Sequence, residues 1–240
     1  MDAESTASAA VTAVPVPYAG PRPRHEAPRL DLQTILLKLI MVAIFLGIAF
    51  PIHEFAHAWV AYLRGDATAK MFGRMTLNPI VHFDMFGGLM TIISIFLGGF
   101  LFGWAKPTPV NPANMKNRYN DEVLVALAGP GSNLVMAVLG GVVVRLLVAF
   151  GVHVPSLLAA GLVNFVVFNV MLAVFNMIPV PPLDGSTLLF RFLPPRQVWQ
   201  IRPFLAQYVM FIVLAVVLLG GSILSSVVYK VAFALMGLGL

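Results

Sequence analysis

Residues 35–62 read ILLKLIMVAIFLGIAFPIHEFAHAWVAY, an apolar run long enough to cross a bilayer that carries His53, Glu54 and His57 near its C-terminal end. A spanning helix needs about 20 mostly apolar residues and satisfies its backbone polar groups within the segment. Arg64-Gly65-Asp66 then closes the run with a polar stop signal. An ionisable group at the centre of such a helix costs about 2.5–3.5 kcal/mol on insertion scales, and such groups usually mark function.

The remainder of the chain repeats the pattern. Apolar runs extend from Met85 to Trp104, Asp121 to Phe150, Ser156 to Pro179, Phe204 to Leu219 and Ile223 to Leu240. Of the 240 residues, 59% are hydrophobic and 10% charged, against about 45–50% and 25% in soluble domains. The expected fold is therefore an all-α polytopic membrane protein of five to six hydrophobic segments, with the lipid bilayer as its surroundings. Residues 32–190 are expected to form the core and 191–240 further membrane helices. Residues 1–31, rich in Ala and Pro, read as a disordered tail. Asp2 and Glu4 stand where a signal peptide carries basic residues. The net charge of +5 is spread over loops, so Lys and Arg read as topology signals and nucleic acid is not an expected partner. Cysteine is absent, which leaves His, carboxylate and amide groups as possible metal ligands.

His53-Glu54-Phe55-Ala56-His57 has the HExxH spacing. On a helix, four residues advance about 400°, so both imidazoles lie on one face about 6 Å apart along the axis, as two ligands of one ion require. Glu54 lies about 100° round from His53, the position of a general base. Catalytic zinc usually takes three protein ligands and an exchangeable water. Asp184, in the turn-forming Asn176-Met177-Ile178-Pro179-Val180-Pro181-Pro182-Leu183-Asp184-Gly185, is one candidate for the third ligand, although an Asp there also suits a helix cap. His82 and Asp84 are rivals, at a loop-to-helix junction where a cap and a solvated His are commoner.

Three ordered motifs, His53 to His57, Gly129-Pro130-Gly131-Ser132-Asn133 and Asn176 to Gly185, resemble the signatures of the site-2 protease family of intramembrane zinc peptidases. Gly103-Trp104-Ala105-Lys106-Pro107 with Val110-Asn111-Pro112 is similar to its compact subgroup without PDZ or nucleotide-sensing (CBS) domains. The resemblance spans about residues 35–190 and implies a Zn2+ held by His53, His57 and Asp184, with Glu54 catalytic. It also implies Asn133 and Asn176 as contacts to substrate backbone or oxyanion. The implied substrates are transmembrane proteins, cut in or near their membrane segments, in a prokaryotic cell membrane. A membrane metal or proton transporter using the same cluster is the alternative reading.

One ion requires His53, His57 and Asp184 at one depth, so the C-terminal ends of the first helix and of the 156–179 helix must face the same side. A simple crossing by Met85–Trp104 would separate them, so residues 85–112 are expected to be re-entrant or a hairpin, which their Gly-Gly pairs and prolines permit. Arg64, Lys70, Arg74, Lys106, Lys116, Arg118, Arg191, Arg196 and Arg202 then share one side, expected to be cytoplasmic along with the site. Residues 151–155 opposite carry no Lys or Arg, whereas Arg22, Arg24 and Arg29 of the tail run against the rule. The Gly99–Pro112 segment is an expected edge for an extended substrate strand. Arg145 is expected to snorkel or pair at a helix end, and Asn164 and Asn169 to bridge helices.

Overall fold

The computed structural model describes residues 32–97 and 106–238, all within one compact unit. The expected tail, Gly98-Gly99 and Gly103-Trp104-Ala105 lie outside the described residues. Among the described residues the chain is helical, without strands. We number the longer helices α1 (Leu32–Leu63), α2 (Met85–Leu97), α3 (Arg118–Ala149), α4 (Ser156–Asn176), α5 (Gly185–Phe192), α6 (Pro195–Gln207) and α7 (Val209–Met236). α1, α3, α4 and the Leu218–Met236 part of α7 are long and apolar enough to cross a membrane.

Two features depart from the expected segmentation. The runs 204–219 and 223–240 are not separate helices: α7 continues from Val209 through Gly220-Gly221 to Met236. Glycine in a helix costs roughly 1 kcal/mol, too little to break a long apolar helix that has no other way to satisfy its backbone. Within α1, Phe45–Ala49 forms a π-helical turn immediately ahead of Pro51. Proline removes one backbone donor, and such widened turns are frequent at functional sites.

Side-chain pairs give the helix directions. His53 meets Asn133 while His57 meets Val125, so α1 and α3 run antiparallel. At the far end of α3, Arg145 donates from Nε to Leu235 O at 2.7 Å and from Nη2 to Ala234 O, serving the last carbonyls of α7. α3 and α7 therefore run the same way, and the expectation for Arg145 as a helix-end partner holds. Small residues allow these helices to approach, as membrane packing favours. A Cβ on Gly140 would lie 2.9 Å from Val166 Cγ2 of α4, and one on Gly141 would lie 2.8 Å from Leu235 O of α7. Val144, Val166, Val170, Val228, Ala232 and Met236 are buried around this junction.

The described ends of the 85–112 region lie close together. α2 has 13 residues, about 20 Å at 1.5 Å per residue, against a hydrocarbon core of about 30 Å. Its C-terminal part lies beside the start of α1, where Lys38 Nζ donates to Phe96 O at 2.5 Å. By Lys106 the chain is again beside its starting point, the Lys106 N–H donating to His82 O at 3.0 Å. The described flanks of the region thus lie together, as the expected re-entrant or hairpin segment requires.

Candidate metal centre

Three consecutive turns of α3 present Val125, Gly129 and Asn133 to α1. His57 Nδ1 lies 2.7 Å from Val125 O and His53 Nδ1 lies 2.6 Å from Asn133 Oδ1. Between them the imidazoles rest directly on Gly129: a Cβ there would stand 2.3 Å from His57 Nε2 and 2.6 Å from His53 Nε2. A glycine is the only residue that leaves room for the pair.

Asp184 arrives from the other direction. After α4 the chain turns through Met177 to Leu183, with a cis peptide between Pro181 and Pro182, and Gly185 packs on the backbone of that turn. A Cβ on Gly185 would lie 2.3 Å from Met177 O. The Asp184 carboxylate is thereby brought to 3.4 Å from both His53 Nε2 and His57 Nε2. The two Nε2 atoms are 3.0 Å apart, and one ligand atom from each of the three residues lies within 4.8 Å of the others.

Hydrogen bonding makes this gap a place for positive charge. Val125 O only accepts, so His57 Nδ1 carries a proton, and neutral His57 turns a bare Nε2 inward. His53 is oriented alike through Asn133. The Asp184 carboxylate supplies the anionic oxygen that ligation requires. Asp184 Oδ2 is buried without a hydrogen-bond partner. Two nitrogen lone pairs, an orphaned carboxylate oxygen and a Gly129 cradle form a group that could hold a metal ion, with the N and O donors that zinc accepts.

Glu54 is held beside it. Its Oε2 accepts from Thr108 Oγ1 at 2.7 Å and from the Thr108 N–H at 3.0 Å. Both bonds fall on Oε2, so Oε1 carries neither. Thr108 belongs to the segment from Lys106 to Asn117, which Asp66 ties to the end of α1. Asp66 is fully buried, and it accepts from the Asn111 N–H at 2.7 Å and from Asn114 Nδ2 at 2.9 Å. Burial pushes the Asp66 carboxyl up, but hydrogen bonds from Thr68, Asn111 and Asn114 prevail and lower it below 3.8. His53, Glu54, His57 and Asp184 line a cavity of about 570 Å³, which Thr108, Phe175, Asn176 and Arg202 also border.

The other expected site residues fall as follows. Asn176 lines this cavity, and its Nδ2 donates to Leu172 O at 3.0 Å. Asn133 is fully buried between α1 and α4, with its oxygen on His53 and its nitrogen on Ala49 O and Asn169. Of the rival ligands, Asp84 caps α2, accepting from the Gly87 N–H at 2.9 Å. His82 is not solvated as expected. It is buried, its Nε2 on Thr76 O at 2.8 Å, because the short helical turn that carries it, Pro79–His82, packs against α1. Asn164 bonds within its own helix, to Ala160 O, whereas Asn169 does bridge helices. Thr108 was not singled out from the sequence. Its partner is 54 residues away, and the local signal, a lone hydroxyl between Pro107 and Pro109, reads as a turn. Those prolines also bear on the expected substrate edge: neither has an N–H, and the Thr108 N–H is taken by Glu54, so residues 107–109 offer a strand carbonyls only.

Residues 41–166 match the profile described as Peptidase family M50. The chain is 40% identical over 192 residues to a Bacillus subtilis protein, YwhC, named as a candidate zinc metalloprotease; the match covers 76% of this chain and 83% of that one. A Mycolicibacterium smegmatis protein named in the same terms, Rip2, is 30% identical over 156 residues, covering 63% of this chain and 57% of the relative. Rip2 of Mycobacterium tuberculosis is 27% identical over 183 residues, with 72% and 65% covered. No solved structure matches significantly.

Proposed function

This chain belongs to peptidase family M50, and from that premise we propose that it is an intramembrane zinc metalloendopeptidase of the site-2 type, cutting transmembrane proteins in or near their membrane segments. The observation that carries the reading is the convergence of Asp184 on the His53–His57 pair at the floor of a cavity that Glu54 also lines. His53, His57 and Asp184 would hold the ion, and the relatives' names point to zinc. Zn2+ bound there supplies Lewis acidity that polarises a peptide carbonyl and acidifies water.

The residues of the chain do the rest. Glu54, fixed through Oε2, takes a proton from the attacking water at Oε1 and returns it to the departing amine, so one carboxylate acts as base and then acid. Asn176, at the cavity wall, is the candidate contact to substrate backbone or developing oxyanion. Asn133, with its amide engaged at both ends, serves the site by holding His53. A helical substrate hides its carbonyls in its own hydrogen bonds, so helix-weakening residues near the cut are required. The Trp104–Val110 segment is proposed to align the unwound strand. Replacing it with a Gly/Ser stretch that retains Thr108, and so the hold on Glu54, should lower cleavage, and an unchanged rate would remove it from the reading. The site faces the cytoplasm of a prokaryotic cell membrane, where the basic loops point.

The deciding experiment incubates detergent-purified chain with a panel of single-pass helices, wild type beside Glu54→Gln, and measures zinc on both. Cleavage by wild type, with zinc retained and turnover lost in Glu54→Gln, is the expected result. Metal-dependent flux in proteoliposomes surviving Glu54→Gln, without cleavage, would establish the transporter instead.

A further inference from the structure

The two imidazoles are oriented by different means. His57 Nδ1 meets a main-chain carbonyl, Val125 O, so no side chain sets its tautomer. His53 depends on a relay of side chains whose polarity can be followed from its far end. Phe165 O only accepts, so the Asn169 atom 2.8 Å from it is Nδ2, and Asn169 Oδ1 is turned toward Asn133. That oxygen accepts from Asn133 Nδ2 at 3.0 Å, and the same nitrogen donates to Ala49 O at 3.3 Å. Asn133 Oδ1 is therefore the atom 2.6 Å from His53 Nδ1, and it can only accept. His53 keeps its proton on Nδ1 and a lone pair on Nε2. Asn133 and Asn169 are both 0% exposed, so no solvent competes for these bonds.

We propose that Asn169, whose amide bonds to Asn133 and Phe165 O and to none of the candidate ligands, is a positioning residue that sets the metal affinity of the site by locking the Asn133 amide and through it the tautomer of His53. The inference rests on the zinc reading above. Asn133 rotated by 180° would present Nδ2 to His53, draw the Nδ1 lone pair toward it and place the proton on Nε2, removing a ligand. Ala49 O and Asn169 Oδ1 both oppose that rotation, and only Asn169 does so with a side chain. Outer partners of metal-bound histidines typically govern affinity by about 10–100-fold.

The test uses full-length chain in detergent, wild type beside Asn169→Leu and Asn169→Asp. Zn2+ affinity is measured by competition with a chelator of known affinity, and the 15N shifts of His53 are recorded in the zinc-free protein. Asn169→Leu, which deletes the accepting oxygen, should weaken Zn2+ binding by about tenfold and raise the Nε2–H fraction of His53; Asn169→Asp, which keeps that oxygen, should stay within about threefold of wild type. Equal Zn2+ affinity in wild type and Asn169→Leu, or an equal loss in the Leu and Asp variants with the His53 shifts unmoved, overturns the inference while leaving the peptidase reading intact. A wild-type chain that binds no Zn2+ removes both.

Discussion

Glu54 is clamped at one oxygen, and this arrangement has a measurable consequence. The Thr108 hydroxyl and N–H both donate to Oε2, and hydrogen bonds to a charged group contribute about 1.5–3 kcal/mol each. Thr108→Val keeps the N–H and the shape but deletes the hydroxyl, so kcat on a cleavable helix should fall by about tenfold, as a misoriented base predicts. Bound zinc should be unchanged, and Thr108→Ser should recover most of the rate. Gly129 offers a second test. Its added Cβ would collide with both imidazoles at 2.3–2.6 Å, and neither helix backbone can yield easily. Gly129→Ala should cut bound zinc severely in purified protein and lower stability by about 1–3 kcal/mol, the usual cost of overpacking.

The stretch from Lys106 to Asn117 shows how a segment without regular pairing is held in place. Asp66, just past the end of α1, takes four hydrogen bonds from Thr68, Asn111 and Asn114, and the Lys116 N–H donates to Arg64 O at 3.2 Å. Thr108 is positioned by this anchorage. Asp66→Asn should therefore destabilise the chain by about 1–3 kcal/mol and expose residues 106–117 to protease. The pH dependence has a definite sign. A carboxyl lowered below 3.8 by folding contributes stability that is complete above 3.8 and drains away as pH falls through its depressed folded value. The difference in melting temperature between wild type and Asp66→Asn should accordingly be largest near neutral pH and shrink below pH 3.8, which a paired series of thermal melts will show.

Four long apolar helices bring the candidate ligands His53, His57 and Asp184 together near the C-terminal ends of α1 and α4. Because α1 and α4 both end on the side where α3 begins, residues 64–84, 106–117 and 177–208 share that side, and residues 150–155 lie opposite. The chain has no cysteine, so single cysteines report cleanly. Cysteines at Lys70 and Lys116, which flank the 85–112 region, should react with an impermeant thiol reagent from one face of oriented vesicles, and one at His153 from the other. Labelling of the Lys70 and Lys116 positions from opposite faces would break the re-entrant or hairpin assignment of residues 85–112.

The helical membrane class, the histidine pair, its glutamate and the candidacy of Asp184 were all legible without coordinates. They rest on local physics: the length of apolar runs against bilayer thickness, and the 3.6-residue period that puts His53 and His57 on one face. Even the closeness of the described ends of the 85–112 region followed from requiring one depth for three ligands. Contacts across long sequence distances were not legible, because no local pattern encodes them. Thr108 on Glu54, the Asn169–Asn133–His53 relay and the burial of His82 depend on which helices touch and in what register. Gly129 and Gly185 stood in recognisable motifs, yet their purpose, leaving space for imidazoles and for a turn, emerges only where backbones pass within a Cβ of each other. Apolar length and period choose the elements; steric fit and the pairing of every buried donor and acceptor choose how they meet.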